Sequence, residues 1–380
     1  MNVTLHDNNN WLKFAPLTLT RPIGNLRMGI LTNDERWHYL LRHVEVGFET
    51  QTYLAGKYPN VGGVLVNACV ILNREIADAV TMLGEDEELV CTEGWIARNG
   101  DGSRKVQFDG EPVFISERWH LYQKNGEVLK NDFHLITEGR VSGTISASNT
   151  IIGNANLIFL EEGAKVEASI LNTTKGPIYI GKNAEIMEGS IVRGPFAMNE
   201  SSALKLGTKV YGPTTLGPHC KVGGEVNNCI FQAYSNKGHD GFLGNSLVGE
   251  WCNLGADTNS SNLKNNYGMV KTFSFESMKI EQTDVQFMGL VMGDHSKCGI
   301  NTMFNTATVV GVSSNIFGAD FPPKYVPSFQ WGTQGEVYGF DRALESAGNM
   351  MSRRGLQLTI PEIDILQYIS DKSNGFSGNK

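Results

Sequence analysis

The sequence lacks the features that would tie the protein to a membrane or to nucleic acid. No apolar run in its 380 residues approaches the ~18 residues that a membrane helix needs. The net charge is −8, so a surface for nucleic acid or anionic lipid is not expected. The start, MNVTLHDNNNWLKFAPLTLT, has no basic stretch followed by an apolar core, which is the pattern of a signal peptide. We therefore expect a cytoplasmic protein.

Paired cysteines are also missing. No two of the six cysteines have CxxC spacing, so neither a zinc knuckle nor a dithiol motif is predicted, and no metal site is expected from them. Glycine, in contrast, is abundant, with 43 residues or about 11% of the chain, against a usual level of about 7%. This favours an architecture with many turns.

From residue 180 onward the apolar residues recur every six positions. A helix would need a period near 3.6 and a half-buried strand a period of 2, so neither explains a period of six. A coil does, if each six residues form a short strand and a corner with one aliphatic side chain pointing inward. The period is carried by Ile180, Ile186, Val192, Met198, Leu204, Val210, Leu216 and Val222, and it resumes with Val248 and Leu254 and again with Met292, Cys298, Phe304, Val310 and Ile316.

Such coils cannot bury their own apolar side chains and must stack to build a core. We therefore predict a β-solenoid over about residues 145–320. The pattern resembles the left-handed parallel β-helix of the hexapeptide-repeat acyltransferases. The left hand, a homotrimeric assembly and active sites between subunits are implied by that resemblance.

The period breaks at residues 224–246, GEVNNCIFQAYSNKGHDGFLGNS. Loops inserted into a solenoid commonly form a binding face, and this one carries His239 between glycines. Acyl transfer from a thioester needs a base to remove a proton from the attacking group, and histidine is suited to that near neutral pH. The alternative interpretation is a surface loop whose histidine has no role.

The motifs around His239 resemble those of the bifunctional N-acetylglucosamine-1-phosphate uridyltransferase/glucosamine-1-phosphate acetyltransferase family. RGPFA at 193–197, GHDGFLG at 238–244 and NLGADTNSSN at 253–262 follow the family's order. The resemblance implies that His239 is catalytic and that Asn253 and Asn262 contact the ligands. It also implies acetyl-CoA as co-substrate, with backbone N–H groups near Gly255 and Ala256 facing its thioester oxygen.

Several positions depart from the family pattern. The tyrosine after the histidine is Phe242, and the paired lysines of the following coil have no counterpart near EVNNCIF. A phosphate needs cationic or N–H partners, for which Lys237, Arg193 and Lys205 are candidates in the acceptor site. Lys324 is a candidate for a coenzyme A phosphate. The acceptor is therefore expected to be a small sugar phosphate, an amino-sugar phosphate like glucosamine 1-phosphate, whose identity stays open.

The first 140 residues lack the period of six. GGVLVNACVI predicts a buried strand and NREIADAVTML a helix, so a mixed α/β domain is expected. PLTLTRPIGNLRMGILT at 16–32, YLAGKYP at 53–59 and MSRRG at 351–355 resemble a shortened subgroup of the same bifunctional family. The resemblance implies a sugar nucleotidyltransferase-like domain in which Arg21 and Arg27 bind nucleotide phosphates.

The glycine-rich nucleotide loop itself is absent, and the metal-binding aspartate of that family falls at Asn67 or Ala68. Mg²⁺ and UTP are therefore expected as ligands only if this domain is active. Three domains are predicted: residues 1–140 α/β, 141–330 β-helix and 331–380 a helical tail.

The leading interpretation is acetyl transfer to an amino-sugar phosphate. One alternative is a sugar-1-phosphate nucleotidyltransferase, uridylyl or thymidylyl, whose β-helix only holds a trimer together. The other is a trimeric sugar-nucleotide-binding protein without catalysis.

Overall fold

The computed structural model describes residues 1–376 and shows an α/β domain, a parallel β-solenoid and two C-terminal helices. This is the architecture that the sequence predicted. No helix within the described range is long and apolar enough to cross a bilayer.

The N-terminal domain is built on a six-stranded mixed sheet. Its second strand, Asn2–His6, pairs in parallel with a neighbour on each side. The third and fourth strands pair antiparallel, and the last two strands are parallel again. In sheet order the strands are Glu45–Glu49, Asn2–His6, Val64–Asn67, Gly94–Arg98, Glu87–Cys91 and Arg104–Gln107. The predicted strand around residue 65 is therefore confirmed as part of the sheet core.

Local sequence signals start the helices of this domain. Thr32 and Glu35 form a reciprocal capping box, and the Asn73 side chain accepts a hydrogen bond from the Ile76 N–H. A small antiparallel pair, Val70–Ile71 with Val113–Phe114, joins the sheet to the helices. The helices are Trp11–Phe14, Asn33–Leu40, Arg74–Thr81, Arg118–Gln123 and Asn125–Thr137.

The solenoid has three flat faces, here named A, B and C, separated by A–B, B–C and C–A corners. Face A holds Ile158–Leu160, Ile178–Ile180, Phe196–Met198, Thr214–Leu216, Ile230–Ala233, Leu247–Glu250, Val291–Met292, Val309–Val310 and Tyr325–Val326. Face B holds Lys165–Val166, Glu185–Ile186, Ala203–Leu204, Lys221–Val222, Asn236–Lys237, Asn253–Leu254, Lys297–Cys298, Asn315–Ile316 and Gln330–Trp331, with Glu336–Val337 added antiparallel. Face C holds Thr150–Ile152, Ile170–Asn172, Ile191–Arg193, Lys209–Tyr211, Glu225–Asn227 and Phe242–Gly244, followed by Asn259–Ser260 and Met303–Phe304.

Stacking of the inward residues forms the solenoid core. Met198 lies over Leu216 on face A, and Leu204 lies over Val222 on face B. All four side chains are fully buried. The short strands, three faces and six-residue step are those of the left-handed β-helix that the sequence predicted.

Residues 224–246 differ from the expectation of a projecting loop. They stay in the coil and supply strands to all three faces. The period breaks because corners are shortened: the inward residues Val222 and Val226 are four positions apart rather than six. Two residues are therefore missing from the B–C corner of this coil.

The true insertion lies at residues 261–289, between faces C and A. It contains the hairpin Lys271–Ser274 and Lys279–Gln282, and its apolar side chains join the core of the N-terminal domain. Arg118 binds the Thr272 hydroxyl at 3.0 Å and the Phe273 carbonyl. The hairpin therefore packs on the N-terminal domain of its own chain.

The C-terminal helices, Phe340–Ser352 and Ile360–Phe376, confirm the predicted helical tail. Ala343, Ala347 and Met351 are the buried residues of the first helix. The second packs its Tyr368 ring on Tyr53 of the N-terminal domain, with centroids 4.1 Å apart. The tail therefore fastens the two domains together.

Candidate functional site

His239 lies in an open cleft of about 450 Å³ at the B–C corner of the solenoid. The cleft exists because the coil beneath His239 has the shortened corner, so that Gly223 and Gly224 leave the space that two residues would fill. Gly224 has a φ of +73° and Gly241 a φ of +111°, backbone angles that residues with a side chain rarely adopt. The lining residues are Met187, Lys205, Leu206, Gly223, Gly224, Gly238, His239, Asp240, Ala256 and Asp257.

The imidazole of His239 is exposed to this cleft, together with charged groups of both signs. Asp240 and Asp257 are exposed carboxylates joined through the backbone, since the Asp257 N–H donates to the Asp240 carbonyl at 3.1 Å. Lys205 supplies the cation of the lining. The cleft therefore offers a base, two anions and a cation within one shallow volume.

Lys237 does not face the cleft, which corrects its predicted role as a phosphate ligand. Its side chain is 1% exposed and points into the solenoid. The ammonium donates to the carbonyls of Gly223 at 2.9 Å and His239 at 2.8 Å. Burial lowers the pKa of Lys237 to about 8.

The predicted asparagines are separated by the coil. Asn253 lies exposed on face B beside Asn236, whereas Asn262 lies at the C–A corner and donates to Asn245 at 2.7 Å. Ala256 lines the His239 cleft as expected. The N–H of Gly255 donates to the Cys298 carbonyl at 3.1 Å, so it is already engaged and does not point at a thioester.

The other two predicted cations lie elsewhere. Lys324 donates to the carbonyls of Thr306 at 2.6 Å and Lys271 at 3.1 Å, so its ammonium anchors the insertion. Arg193 is exposed on face C and makes no ion pair with another described residue. Neither residue lines the His239 cleft.

Arg21 joins the two domains instead of facing a nucleotide site. Its guanidinium is 3% exposed and pairs with Glu250 at 2.5 Å and with Asp294 on face A. Burial is the largest influence on both carboxylates and raises the pKa of Asp294. At Glu250 the charges of Arg21, Lys57 and Arg27, with the Arg21 hydrogen bond, together exceed the effect of burial and lower the pKa to about 2. The predicted phosphate ligand is therefore held inside an interdomain ion-pair cluster.

Arg27 is engaged in the same way. Both of its terminal nitrogens bind Glu35, at 2.9 and 3.0 Å, and one also donates to the Ile30 carbonyl. Its backbone N–H donates to the Gln232 side chain of face A at 2.7 Å. Arg21 and Arg27 therefore both stabilise the domain interface, and their guanidinium groups are already bound to protein groups.

The end of the central sheet does not fit a magnesium site. The Asn67 amide donates to the Trp95 carbonyl and accepts from the Cys69 N–H, which occupies its polar atoms. Within residues 1–376 no group of three or more His, Cys, Asp or Glu side chains is placed to hold a metal. The position predicted for the metal-binding aspartate therefore supplies no carboxylate to a magnesium ion.

Sequence reasoning missed two features around face B. One is the brace formed by Lys237, although its position six residues after Phe231 marked it as an inward residue. The other is a cluster of cations beside an aromatic stack. Burial lowers the pKa of Lys221, and the nearby charges of Arg354, Lys205 and Arg353 lower it further. Arg354 also lies at hydrogen-bond distance from the His219 carbonyl. The ring of His219 stacks on the ring of Tyr234, with centroids 4.9 Å apart.

The fold defines a protein in which an α/β domain is docked on a hexapeptide β-helix, and sequence comparisons agree with both halves. A family model described as sugar nucleotidyl transferase matches residues 3–141. The bifunctional protein GlmU of Methanococcus vannielii is 27% identical over 225 residues, which is 57% of this chain and 45% of that protein. GlmU of Methanocaldococcus jannaschii is 33% identical over 87 residues, 23% of this chain and 21% of that protein. The chain spans less than half the length of these two relatives.

The chain is also similar to acetyltransferases. The uncharacterized acetyltransferase YaiX of Escherichia coli is 21% identical over 170 residues, 44% of this chain and 73% of that protein. Two solved structures, the polySia specific acetyltransferase NeuO and the polysialic acid O-acetyltransferase OatWY, are 12% and 11% identical with TM-scores of 0.22 and 0.25. They cover 51% and 50% of this chain and 90% and 88% of their own. At these TM-scores the likeness says nothing about function. The family and sequence matches confirm the resemblance to the bifunctional family.

Arg21→Ala is expected to destabilise the protein by about 3 to 5 kcal/mol, because it leaves Glu250 and Asp294 buried without their cation. Arg193→Ala, at an exposed arginine without an ion pair, should change the free energy of unfolding by less than about 0.5 kcal/mol. Denaturant unfolding of both variants measures the difference. Equal stabilities would show that Arg21 does not anchor the interface.

Proposed function

We propose that the protein transfers an acetyl group from acetyl-CoA to an amino-sugar phosphate, with His239 as general base. The observation that supports this most is the cleft that the shortened corner opens beside His239. A base exposed in a concave site with charged neighbours is the arrangement that acyl transfer requires. The matches to acetyltransferases agree with it.

The chemistry follows from the imidazole. Neutral His239 takes a proton from the acceptor amine as the amine nitrogen attacks the thioester carbonyl, forming the C–N bond. The C–S bond then breaks, and the imidazolium returns the proton to the sulfur, which leaves as the thiol of coenzyme A. Histidine suits both transfers because its ordinary pKa lies near neutrality.

The charges of the cleft suggest how the acceptor binds. Lys205 is placed to attract the phosphate, and Asp240 and Asp257 attract the amino group in its ammonium form. The ammonium loses one proton to solvent before the neutral amine attacks. A sugar carrying both groups satisfies all three side chains at once. This pairing favours an amino-sugar phosphate such as glucosamine 1-phosphate over a neutral acceptor.

We further propose a homotrimer in which a neighbouring subunit closes the cleft. Large apolar side chains lie exposed at the rim and along face C: Leu206 is 69% and Ile300 73% exposed, and Ile191, Tyr211 and Met303 are also exposed. An apolar patch next to a charged cleft is typical of an interaction surface. Light scattering is expected to give three times the 41.7 kDa chain mass, and a monomer at micromolar concentration would contradict the assembly.

The N-terminal domain is proposed to have lost nucleotidyl transfer. Phosphoryl chemistry relies on cations and metal at the developing charge, and here Arg21 and Arg27 are engaged at the interface. We expect no magnesium-dependent pyrophosphate release from UTP and a sugar 1-phosphate above background. Robust release that disappears when magnesium is chelated would favour the nucleotidyltransferase alternative instead.

His239→Ala is expected to lower acetyl transfer to glucosamine 1-phosphate by about 10² to 10⁴-fold, the usual effect of losing a general base. Acetyl-CoA binding, measured by calorimetry, should persist, as should the assembly. His43→Ala, at an exposed histidine of the N-terminal domain, is the matched control and should keep full turnover. Near-normal turnover in His239→Ala would end the catalytic assignment, and absence of turnover in the unaltered protein would favour the non-catalytic binding protein.

A further inference from the structure

Lys237 occupies a position that the solenoid otherwise fills with apolar side chains. It pairs in register with Val222 of the preceding coil, and the pairing of Asn236 with Asn253 places it over Leu254 of the next coil. Val222 and Leu254 are 0% and 2% exposed, as expected of stacked core residues. A lysine in this row needs an explanation that packing does not supply.

The burial of this ammonium is unfavourable for stability. No carboxylate of residues 1–376 lies within ion-pair distance of the Lys237 Nζ. A buried cation without a paired anion costs free energy, which hydrogen bonds to carbonyls offset only in part. The burial that lowers its pKa to about 8 expresses the same cost.

The two hydrogen bonds of Lys237 end on the two sides of the cleft. The Gly223 carbonyl belongs to the shortened corner that forms one wall, and the His239 carbonyl belongs to the residue proposed as the base. The Gly223 N–H also donates to the Lys237 carbonyl at 2.7 Å, so a backbone hydrogen bond joins the same two residues. The ammonium therefore bridges the wall and the catalytic segment from beneath.

The segment that carries His239 needs such support. Gly238 precedes His239, and a Cβ placed on Gly238 would have no atom within 4 Å, so nothing packs against the side-chain position of this residue. Gly241 follows two residues later, with a φ of +111°. Glycines on both sides leave His239 without flanking side chains that would help to fix it in place, and a displacement of about 1 Å at a catalytic group costs about 10²-fold in rate.

We propose that Lys237 is a positioning residue for acetyl transfer: its buried ammonium ties the backbone of His239 to the Gly223 wall and so fixes the imidazole in the cleft. The inference rests on the proposed role of His239. It assigns Lys237 a part in the rate of the reaction and none in binding the acceptor or coenzyme A.

Lys237→Met tests this, because methionine keeps an unbranched stem and removes the ammonium. We expect kcat to fall by about 10 to 100-fold, with KM for acetyl-CoA and for glucosamine 1-phosphate within about twofold. The midpoint of unfolding should be unchanged or higher, since a buried charge has been removed. Leu254→Met, one coil further at the same inward position, is the matched control and should keep kcat.

A loss of activity without a loss of stability distinguishes positioning from a structural role. A kcat within twofold of the unaltered protein would overturn the proposal, as would a fall in kcat that only follows a fall in unfolding midpoint. If His239→Ala is also fully active, the proposed function has failed. If His239→Ala is inactive while Lys237→Met is normal, only the role of Lys237 has failed.

A second measurement tests the burial of the charge. Because the folded protein holds the Lys237 proton less tightly than the unfolded chain, with a pKa of about 8 against 10.5, stability contributed by this group rises as pH increases between those values. Asp240, Cys229, Asp257 and Cys298 are the titratable groups that act on Lys237, and they are common to both proteins. The stability of the unaltered protein relative to Lys237→Met should therefore rise from pH 8 to pH 10.5, and a constant difference would contradict a buried ammonium.

Discussion

The structure depends on the requirement that each coil of the solenoid bury its inward side chain against the coils above and below. That requirement sets a spacing of six residues between successive inward side chains. A coil with a different number of residues between them must therefore change the shape of the solenoid surface. Two residues removed between Val222 and Val226 leave the core stack intact, because Val222 still lies over Lys237 and Val226 over Leu243. The deletion appears outside instead, as the cleft in which His239 lies. The candidate site is thus the space left where one corner is two residues shorter than the regular ones.

Face A carries a different consequence of the same geometry. Its flat row of outward side chains accepts the N-terminal domain, through Thr215, which donates to the Gly29 carbonyl at 2.6 Å, and through the Arg21 cluster. The arginines that would bind nucleotide phosphates in a sugar nucleotidyltransferase are used to hold this interface. The N-terminal domain is therefore docked on face A, and the His239 cleft at the B–C corner stays open.

The sequence predicted the solenoid, because one inward residue in six is a signal that no helix or single strand produces. It also predicted His239, which the structure places in a cleft. It predicted a loop at 224–246 where the structure has shortened corners, because a broken period does not tell an insertion from a deletion. The roles of Arg21 and Lys237 depend on contacts with residues 229 and 14 positions away, and neither periodicity nor motif spacing contains such contacts.

The central claim is that the shortened corner makes the active site, and refilling that corner tests it directly. Inserting two residues between Gly223 and Gly224 would restore the six-residue step from Val222 to the next inward residue and close the cleft. The account predicts a protein with an unchanged circular dichroism spectrum and unfolding midpoint whose acetyl transfer from acetyl-CoA to glucosamine 1-phosphate has fallen to the level of His239→Ala. Turnover at the level of the unaltered protein, in a folded variant with the corner restored, would contradict the account.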